Sequence, residues 1–292
     1  MAVPYFFGDG KLDLKDGTID GCYSEDDGGA IYCKRGEVNL ENMIFSTNKS
    51  REDGGAIYID LDLAKYDGTL FYAKGCSFIE NEAMEDGGAF YMRDNPEHKG
   101  ALMFDHCIFR NNTARENGGA LVACDDGMVL SNVEITGNSA GEYGGGVFVD
   151  ARYTVNVKGV VVIKNNTSNK YSNCRDMCLE DGISNTAFIN SGGLSKGSWI
   201  GVGSTSKKSI KLANNMSVYE MKYFHSHVGS ISAKNVREVE VEMVVTGSLF
   251  SVGNTMLISV MGGIGLVLLV ILIIRRKKLG NVNRTKAEGG GL

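Results

Sequence analysis

A block of residues that recurs five times constrains the fold of this chain more than any other feature. Each block contains an apolar residue, an asparagine three positions later and a pair of glycines six positions after that. The glycine pairs begin at Gly28, Gly54, Gly87, Gly118 and Gly144, and the asparagine position is occupied by Cys22, Asn48, Asn81, Asn112 and Asn138. Fixed blocks with variable spacers predict a solenoid, in which each unit buries its apolar face by stacking on the next.

The residues around each block predict strands rather than helices. Residues 56–59 and 70–73 are mostly apolar, β-branched or aromatic and are bounded by Gly, Asp and Asn. No helical period extends over three turns before residue 250, and only two prolines are present to remove donors from a ladder of hydrogen bonds. We predict an all-β fold: a right-handed parallel β-helix in residues 1–180, then last coils and a membrane-proximal cap in residues 181–250.

The asparagine of each block is predicted to turn the chain and to hydrogen-bond its equivalents in neighbouring coils. Three blocks read Phe-x-x-Asn followed by Gly-Gly-Ala and an apolar residue, at Phe45, Phe78 and Phe109. This pattern resembles the FxxN and GGA[ILV] repeats of the chlamydial polymorphic outer-membrane proteins, and similar repeats occur in surface proteins of some protists. The resemblance covers residues 19–150, and a degenerate block follows at Asn166 with Ser172-Asn173 in place of the glycines. It implies a β-helical, surface-exposed region used for adhesion.

One apolar segment near the C-terminus predicts a transmembrane helix, where the bacterial family has a different membrane domain. The segment begins at Met256 and ends at Ile274, and these 19 residues carry no charge, which is about the length that crosses a ~30 Å hydrocarbon core. The basic residues that follow at once are Arg275, Arg276, Lys277 and Lys278. Because basic residues favour the cytoplasmic side, we predict a single-pass protein of the plasma membrane, with the repeats outside and the C-terminus in the cytoplasm.

The first residues of the chain do not supply the signal peptide that this topology requires. Residues 1–7 lack the basic start and the uninterrupted apolar run of a signal peptide. We therefore expect the natural N-terminus to lie further upstream. The alternative is a tail-anchored protein, which needs no signal peptide and whose basic tail would lie on the opposite side of the membrane.

Charge is divided unequally along the chain. Residues 275–292 carry a net charge of +5 and the whole chain −5, which leaves −10 on residues 1–274. An acidic ectodomain argues against nucleic acid as a partner, since phosphate binding needs a basic surface. The basic tail is expected to contact membrane lipid.

Five acidic residues occupy the same position of the repeat, two residues before each glycine pair: Asp26, Glu52, Glu85, Glu116 and Glu142. Stacked coils would align them in a negative stripe. We interpret it as a solvated edge that discourages pairing with other chains. Binding of divalent cations is a second interpretation, and a catalytic site like those of carbohydrate-active β-helix enzymes is a third. Catalytic sites break the symmetry of a repeat and these acids obey it, so we predict no enzyme and no cofactor.

His225 and His227 share a strand face but have no identifiable third metal ligand.

Two spacers are longer than the others and insert at the same place in the repeat, at residues 60–68 and 93–100. Stacked coils would bring these insertions side by side. We predict that they expose together Lys65, Tyr66, Arg93, His98 and Lys99. Loops on a rigid scaffold commonly carry binding sites, so an extracellular protein or glycan is the predicted partner. The alternative is that the insertions are only tolerated and that the protein is a structural spacer of the surface coat.

Cysteines and asparagines offer further predictions. Cys76 and Cys107 should stack in adjacent coils, as a small apolar ladder or as a disulfide, whereas Cys174 and Cys178 suit a local disulfide.

Glycosylation acceptor patterns start at Asn48, Asn111, Asn165, Asn166 and Asn215. Because Asn48 and Asn166 are repeat asparagines, we predict Asn215 and Asn111 as the better acceptors.

Overall fold

The structure of the protein is a computed structural model. It describes residues 5–7, 10–34, 36–60, 70–93, 101–123, 128–151, 153–181, 188–206, 210–212, 216–227, 231–233, 236–237, 250–252, 255–258 and 270–272. The chain divides into two compact units, Met1–Val239 and Glu240–Leu292.

The described residues of the first unit form a parallel β-solenoid of six coils with four strands in each coil. The first strands are Lys11–Lys15, Glu37–Glu41, Leu70–Lys74, Ala101–Asp105, Met128–Ser131 and Thr154–Gly159. The second strands are Thr18–Asp20, Ile44–Ser46, Ser77–Ile79, Ile108–Arg110, Glu134–Thr136 and Val162–Lys164. The third strands are Tyr23–Ser24, Lys49–Ser50, Glu82–Ala83, Thr113–Ala114, Ser139–Ala140 and Thr167–Ser168. The fourth strands are Ile31–Lys34, Ile57–Asp60, Phe90–Arg93, Leu121–Ala123, Val147–Val149 and Met177–Leu179.

Equivalent strands of successive coils pair in parallel and in register. The first strands, extended by Phe188–Leu194, form a seven-stranded sheet, and the third strands form a six-stranded sheet. The second and fourth strands belong to one sheet, because Trp199–Ser204 pairs with both Val162–Lys164 and Met177–Leu179. Tyr5–Phe7 lies at the other end of that sheet, beside Ile31–Lys34. The predicted all-β parallel solenoid is confirmed, and its right-handed winding stays a prediction.

The apolar residues of the blocks form a column in the core. Phe45, Phe78 and Phe109 are fully buried, and their rings stack with centroids 5.1 and 4.7 Å apart and almost parallel planes. Ile135 and Ile163 continue the column. Every coil thus contributes a large apolar side chain to the same place, which is why an apolar residue recurs at this position of the repeat.

The repeat asparagines form the predicted ladder beside this column. Asn112 is typical: its side-chain Oδ1 accepts from the backbone N–H and the Nδ2 of Asn81, at 3.0 and 2.9 Å. Its own Nδ2 donates to the Phe78 carbonyl and to Oδ1 of Asn138, both at 2.9 Å. Asn48, Asn81, Asn112, Asn138 and Asn166 are all buried, so these bonds satisfy polar groups that water does not reach.

The glycine pair is required for two separate reasons. The first glycine of every pair has a left-handed φ of 64° to 66°, which residues with a Cβ rarely adopt. The second glycine contacts the next coil: a Cβ on Gly88 would lie 2.2 Å from the carbonyl oxygen of Gly119 and 2.6 Å from the carbonyl carbon of Thr113. Each turn therefore packs backbone against backbone on the turn above it.

The sixth coil corrects one expectation from the sequence. Ser172-Asn173 do not replace the glycines but are two extra residues, within the 3₁₀ turn Ser172–Cys174. Cys174 and Arg175 lie beside Gly144 and Gly145, whose N–H groups donate to the Cys174 carbonyl. Trp199–Ser204 pairs directly with the second and fourth strands of this coil. No further glycine turn stacks there within the described chain, so side chains at these positions are tolerated.

Asp176 ends the asparagine ladder. It is buried, and its Oδ1 accepts from the N–H and Nδ2 of Asn166 at 2.9 and 3.0 Å. Its Oδ2 lies 2.8 Å from Nε2 of His227. A Cβ on Gly201 would lie 2.2 Å from Oδ2 of Asp176, so position 201, next to the Asp176–His227 pair, requires a glycine. A carboxylate thus supplies the acceptor that the asparagine of another coil would supply.

The remaining described elements are short. In the first unit they are Ile210–Leu212, Met216–Ser217, the helix Val218–Met221, Phe224–Ser226, Ile231–Ala233 and Val236–Arg237. The second unit contains an antiparallel sheet of Phe250–Val252, Thr255–Ile258 and Val270–Leu272.

The predicted membrane segment, residues 256–274, is described only at 256–258 and 270–272, and the basic residues 275–278 lie outside the described residues. In the described ranges, no helix has the length and apolar character needed to cross a membrane.

Candidate functional site

The two long insertions start and end on neighbouring strands. Ile57–Asp60 pairs in register with Phe90–Arg93, which places Arg93 beside Asp60, where both insertions begin. The chain resumes at Leu70 and Ala101, which are also partners in register. Arg93 is exposed, whereas Lys65, Tyr66, His98 and Lys99 lie outside the described residues. Both ends of the two insertions are therefore one coil apart.

A column of tyrosines lies on the outer face of the fourth strands of the first three coils, two of which lead into the insertions. Tyr32, Tyr58 and Tyr91 stack with ring centroids 5.3 and 5.5 Å apart. Burial raises the pKa of Tyr58 well above its usual range, and the Asp27 and Asp60 carboxylates raise it further. This column was not predicted from the sequence, although each tyrosine lies two residues after the alanine of its Gly-Gly-Ala motif.

Asp60 is a buried carboxylate at the start of the first insertion. Its Oδ2 accepts a hydrogen bond of 3.0 Å from the Tyr32 hydroxyl and lies 3.7 Å from Nζ of Lys34. A buried charge is tolerated only when it is paired and hydrogen-bonded. The bases of the insertions are thus held by polar contacts as well as by strand pairing.

The predicted acidic stripe is present at another corner of the same coils. The backbone N–H of Glu85 donates to the Glu52 carbonyl at 3.2 Å, and Glu116 and Glu142 continue the series at 3.0 and 2.8 Å. Asp26, Glu52, Glu85 and Glu116 are exposed. The stripe ends at Lys170, whose Nζ lies 2.6 Å from Oε1 of Glu142. Its exposure fits the interpretation as a solvated edge.

A second acidic column, which was not predicted from the sequence, lies one residue closer to the glycines. Oδ1 of Asp27 accepts from the N–H of Asp53, Asp53 accepts from Asp86, and Asp86 accepts from Asn117, at 3.0, 2.9 and 2.7 Å. Partial burial is the largest cause that raises the pKa of these three carboxyls, to about 6, 7 and 6 in chain order. Neighbouring carboxylates raise them further. Because Asn117 and Tyr143 occupy this position later in the chain, the column is not evident as a repeat of acids.

The two histidines have different environments. His227 bonds Asp176 as the end of the ladder, while His225 stacks on Trp199, whose side chain is 44% exposed. Burial lowers the pKa of His225, and the neighbouring His227 lowers it further. No group of three or more His, Cys, Asp and Glu among the described residues has an arrangement that would hold a metal ion.

The described cysteines occur both as free thiols and in a disulfide. Cys76 and Cys107 are buried free thiols in adjacent coils, and their Sγ atoms lie 3.4 Å from the carbonyl oxygens of Lys74 and Ala73. Cys174 and Cys178 form a disulfide. This bond lies in a small apolar cluster with Val122, Phe148 and Tyr153 outside the main core.

Comparison with known families agrees with the coil geometry. The model of the Chlamydia polymorphic membrane protein (Chlamydia_PMP) repeat matches residues 42–60 and 106–124, which contain the second, third and fourth strands of the second and fourth coils. The predicted resemblance is therefore confirmed for these repeats. No curated protein and no solved structure matches the chain significantly. The repeats and the β-solenoid together fit a surface protein.

Proposed function

We propose that this chain is a cell-surface protein whose solenoid presents residues 60–68 and 93–100 as one binding site for an extracellular protein or glycan, and that it mediates adhesion. The observation that carries the proposal is the register of the flanking strands, in which Asp60 pairs with Arg93 and Leu70 pairs with Ala101. Two insertions with adjacent ends can contribute to one surface. The rigid coils beneath them reduce the entropy lost on binding.

Residues 256–274 serve in this proposal as a transmembrane anchor, with the basic residues from Arg275 to Lys278 in the cytoplasm. The length and apolar character of the segment support the anchor, and the basic flank supports the orientation. In this proposal the protein binds without catalysis and without a cofactor, because the exposed acids of the stripe follow the repeat and form no irregular cluster among the described residues. Its acidic charge favours partners other than nucleic acid.

The binding proposal is tested by shortening both insertions together to the length of the other spacers. Loop length has a small effect on stability, so the β-type circular dichroism spectrum should persist while adhesion to cells or immobilised glycans falls at least tenfold. The matched control changes the exposed stripe of the same coils, Glu52→Gln with Glu85→Gln, and should leave adhesion unchanged. Adhesion that survives the shortening would exclude the insertions as the site.

The enzyme alternative has a separate test. The protein is incubated with acidic polysaccharides, with and without Ca²⁺, and the release of reducing ends is measured. We expect no turnover. Turnover that disappears in the Glu85→Gln variant would replace the binding proposal with a carbohydrate-active enzyme.

A further inference from the structure

The corner between the second and third strands of each coil presents one residue in the left-handed conformation. The residues at this corner are Gly21, Thr47, Glu80, Asn111, Gly137 and Asn165, all with φ between 52° and 71°. Asn111 and Asn165 are exposed. Asparagine tolerates this conformation better than most residues with a side chain, which accounts for its use at a turn.

Both corner asparagines begin an Asn-x-Thr glycosylation acceptor pattern in which exposed and buried residues alternate. In Asn111-Asn112-Thr113 the first and third residues are exposed and the second is buried in the ladder, and Asn165-Asn166-Thr167 repeats this arrangement two coils later. The acceptor amide and the threonine hydroxyl therefore lie on the outside of the solenoid. Within the described part of the chain, neither corner side-chain amide makes a hydrogen bond, so modification at Nδ2 breaks no native bond there.

The overlapping pattern Asn166-Thr167-Ser168 has the opposite environment. Asn166 is 2% exposed, and its Nδ2 donates to the carbonyls of Ile135 and Lys164 and to Oδ1 of Asp176, at 3.0, 3.1 and 3.0 Å. Asn48 is likewise buried in the ladder. A glycan on either nitrogen would displace these bonds and would not fit inside the coil. Asn215 lies outside the described residues.

We propose that Asn111 and Asn165 carry N-linked glycans, whereas Asn48 and Asn166 do not. The Nδ2 atom attacks the anomeric carbon of a lipid-pyrophosphate-linked oligosaccharide. The new N–C bond forms as the bond from that carbon to the phosphate oxygen breaks, the lipid pyrophosphate leaves, and the amide nitrogen loses one proton to a base of the transferase. This inference rests on the proposed function, because the repeats must enter the secretory pathway.

The placement of the two glycans is compatible with the proposed binding site. They lie two coils apart, about 10 Å along the solenoid, and the corner residue between them is Gly137, which has no side chain. They occupy the corner between the second and third strands, whereas the insertions connect fourth strands to first strands. The glycans thus lie at a different corner of the coils from the described ends of the insertions.

The experiment translates the full chain with a cleavable secretory leader in the presence of microsomes, and isolates the chains whose repeats are protected from protease added outside. Peptide mass spectrometry then measures glycan occupancy at each asparagine. Cleavage after Lys164 and Lys170 places Asn165 and Asn166 in one peptide, so the two acceptors are compared within the same molecule. We expect glycans at Asn111 and Asn165 and none at Asn48 or Asn166.

Two further variants separate modification from folding. Thr113→Ala and Thr167→Ala leave both turn asparagines in place and should each remove one glycan from the protected chain. Protected chains without glycans at Asn111 and Asn165, or with a glycan at Asn166, would overturn the inference. The chain without the added leader, tested in parallel, reports only whether the repeats enter the secretory pathway unaided, so failure of the proposed function is distinguished from failure of the glycan sites.

Discussion

The replacement Asn112→Ala tests the energetic role of the ladder at its centre. Alanine removes Oδ1, the acceptor for the N–H and Nδ2 of Asn81, and Nδ2, the donor to Phe78 and Asn138. The Asn81 side chain retains its bond to the Phe45 carbonyl, but its backbone N–H is left buried without this acceptor.

The expected cost follows from these four bonds. An orphaned buried donor costs about 1–3 kcal/mol, and each of the other three lost bonds contributes about 1 kcal/mol. We therefore expect the free energy of unfolding to fall by about 4–6 kcal/mol. That is a large share of the stability of a typical domain, about 5–15 kcal/mol.

The assay is urea unfolding of residues 1–239, followed by circular dichroism in the β region. The matched control is Asn39→Ala, the same chemical change at a half-buried position on the outer face, where Nδ2 donates to Asp13 and Glu37. Its expected cost is below about 1 kcal/mol. If Asn112→Ala proved no more costly than Asn39→Ala, the ladder would not stabilise the coils as argued.

Three other predictions follow from the described contacts. Because burial raises the pKa values of Asp27, Asp53 and Asp86 to about 6, 7 and 6, the folded state binds more protons than the unfolded state between about pH 4 and 7. Unfolding measured at pH 5 and pH 8 should therefore show a larger free energy of unfolding at pH 5. Asp53→Asn should reduce the difference between the two free energies by about 2 kcal/mol after allowance for solvent screening. Equal free energies at the two pH values would contradict the burial of this column. Gly88→Ala should lower stability by about 3 kcal/mol or more because its Cβ meets backbone atoms. Gly192→Ala, whose Cβ would make ordinary contacts, should change stability by about 0.5 kcal/mol at most, and equal melting temperatures for the two variants would argue against the tight turn. Asp176→Ala should cost about 2–4 kcal/mol because it removes the acceptor for two donors of Asn166, and Asp176→Asn, which retains an acceptor, should cost less; equal losses in urea unfolding would remove Asp176 as the end of the ladder.

The features that could be predicted from the sequence are those for which every coil has the same physical requirement. A residue at the Phe78 position meets the same neighbours as one at Phe45, and the Asn112 position requires both a donor and an acceptor. The close contact at Gly88 excludes any side chain. Such requirements select the same residue in each block, so spacing alone locates the coils, the ladder and the bases of the insertions.

The features that were missed depend on where a coil lies in the stack. Cys174 and Arg175 occupy glycine positions because no further turn stacks on the sixth coil in the described chain, and Asp176 replaces an asparagine from another coil. The column that begins at Asp27 and Asp53 changes residue type along the solenoid, so no repeat marks it. Its pKa shifts arise chiefly from burial, which is a tertiary property and has no signature in the local sequence.

The central claim, one repeat per coil, is tested most directly by distances between labels in one register column. Asp20 and Lys164 are exposed and stand at the two ends of the column that runs through the second strands, five coils apart, and Thr136 lies one coil before Lys164. Bio-orthogonal spin labels at Asp20 and Lys164 should give a mean separation of about 24 Å, and labels at Asp20 and Thr136 about 19 Å, since each coil adds about 4.8 Å. Two distances that differ by one coil spacing would confirm the stacking, whereas separations above about 40 Å, or no difference between the pairs, would contradict the solenoid.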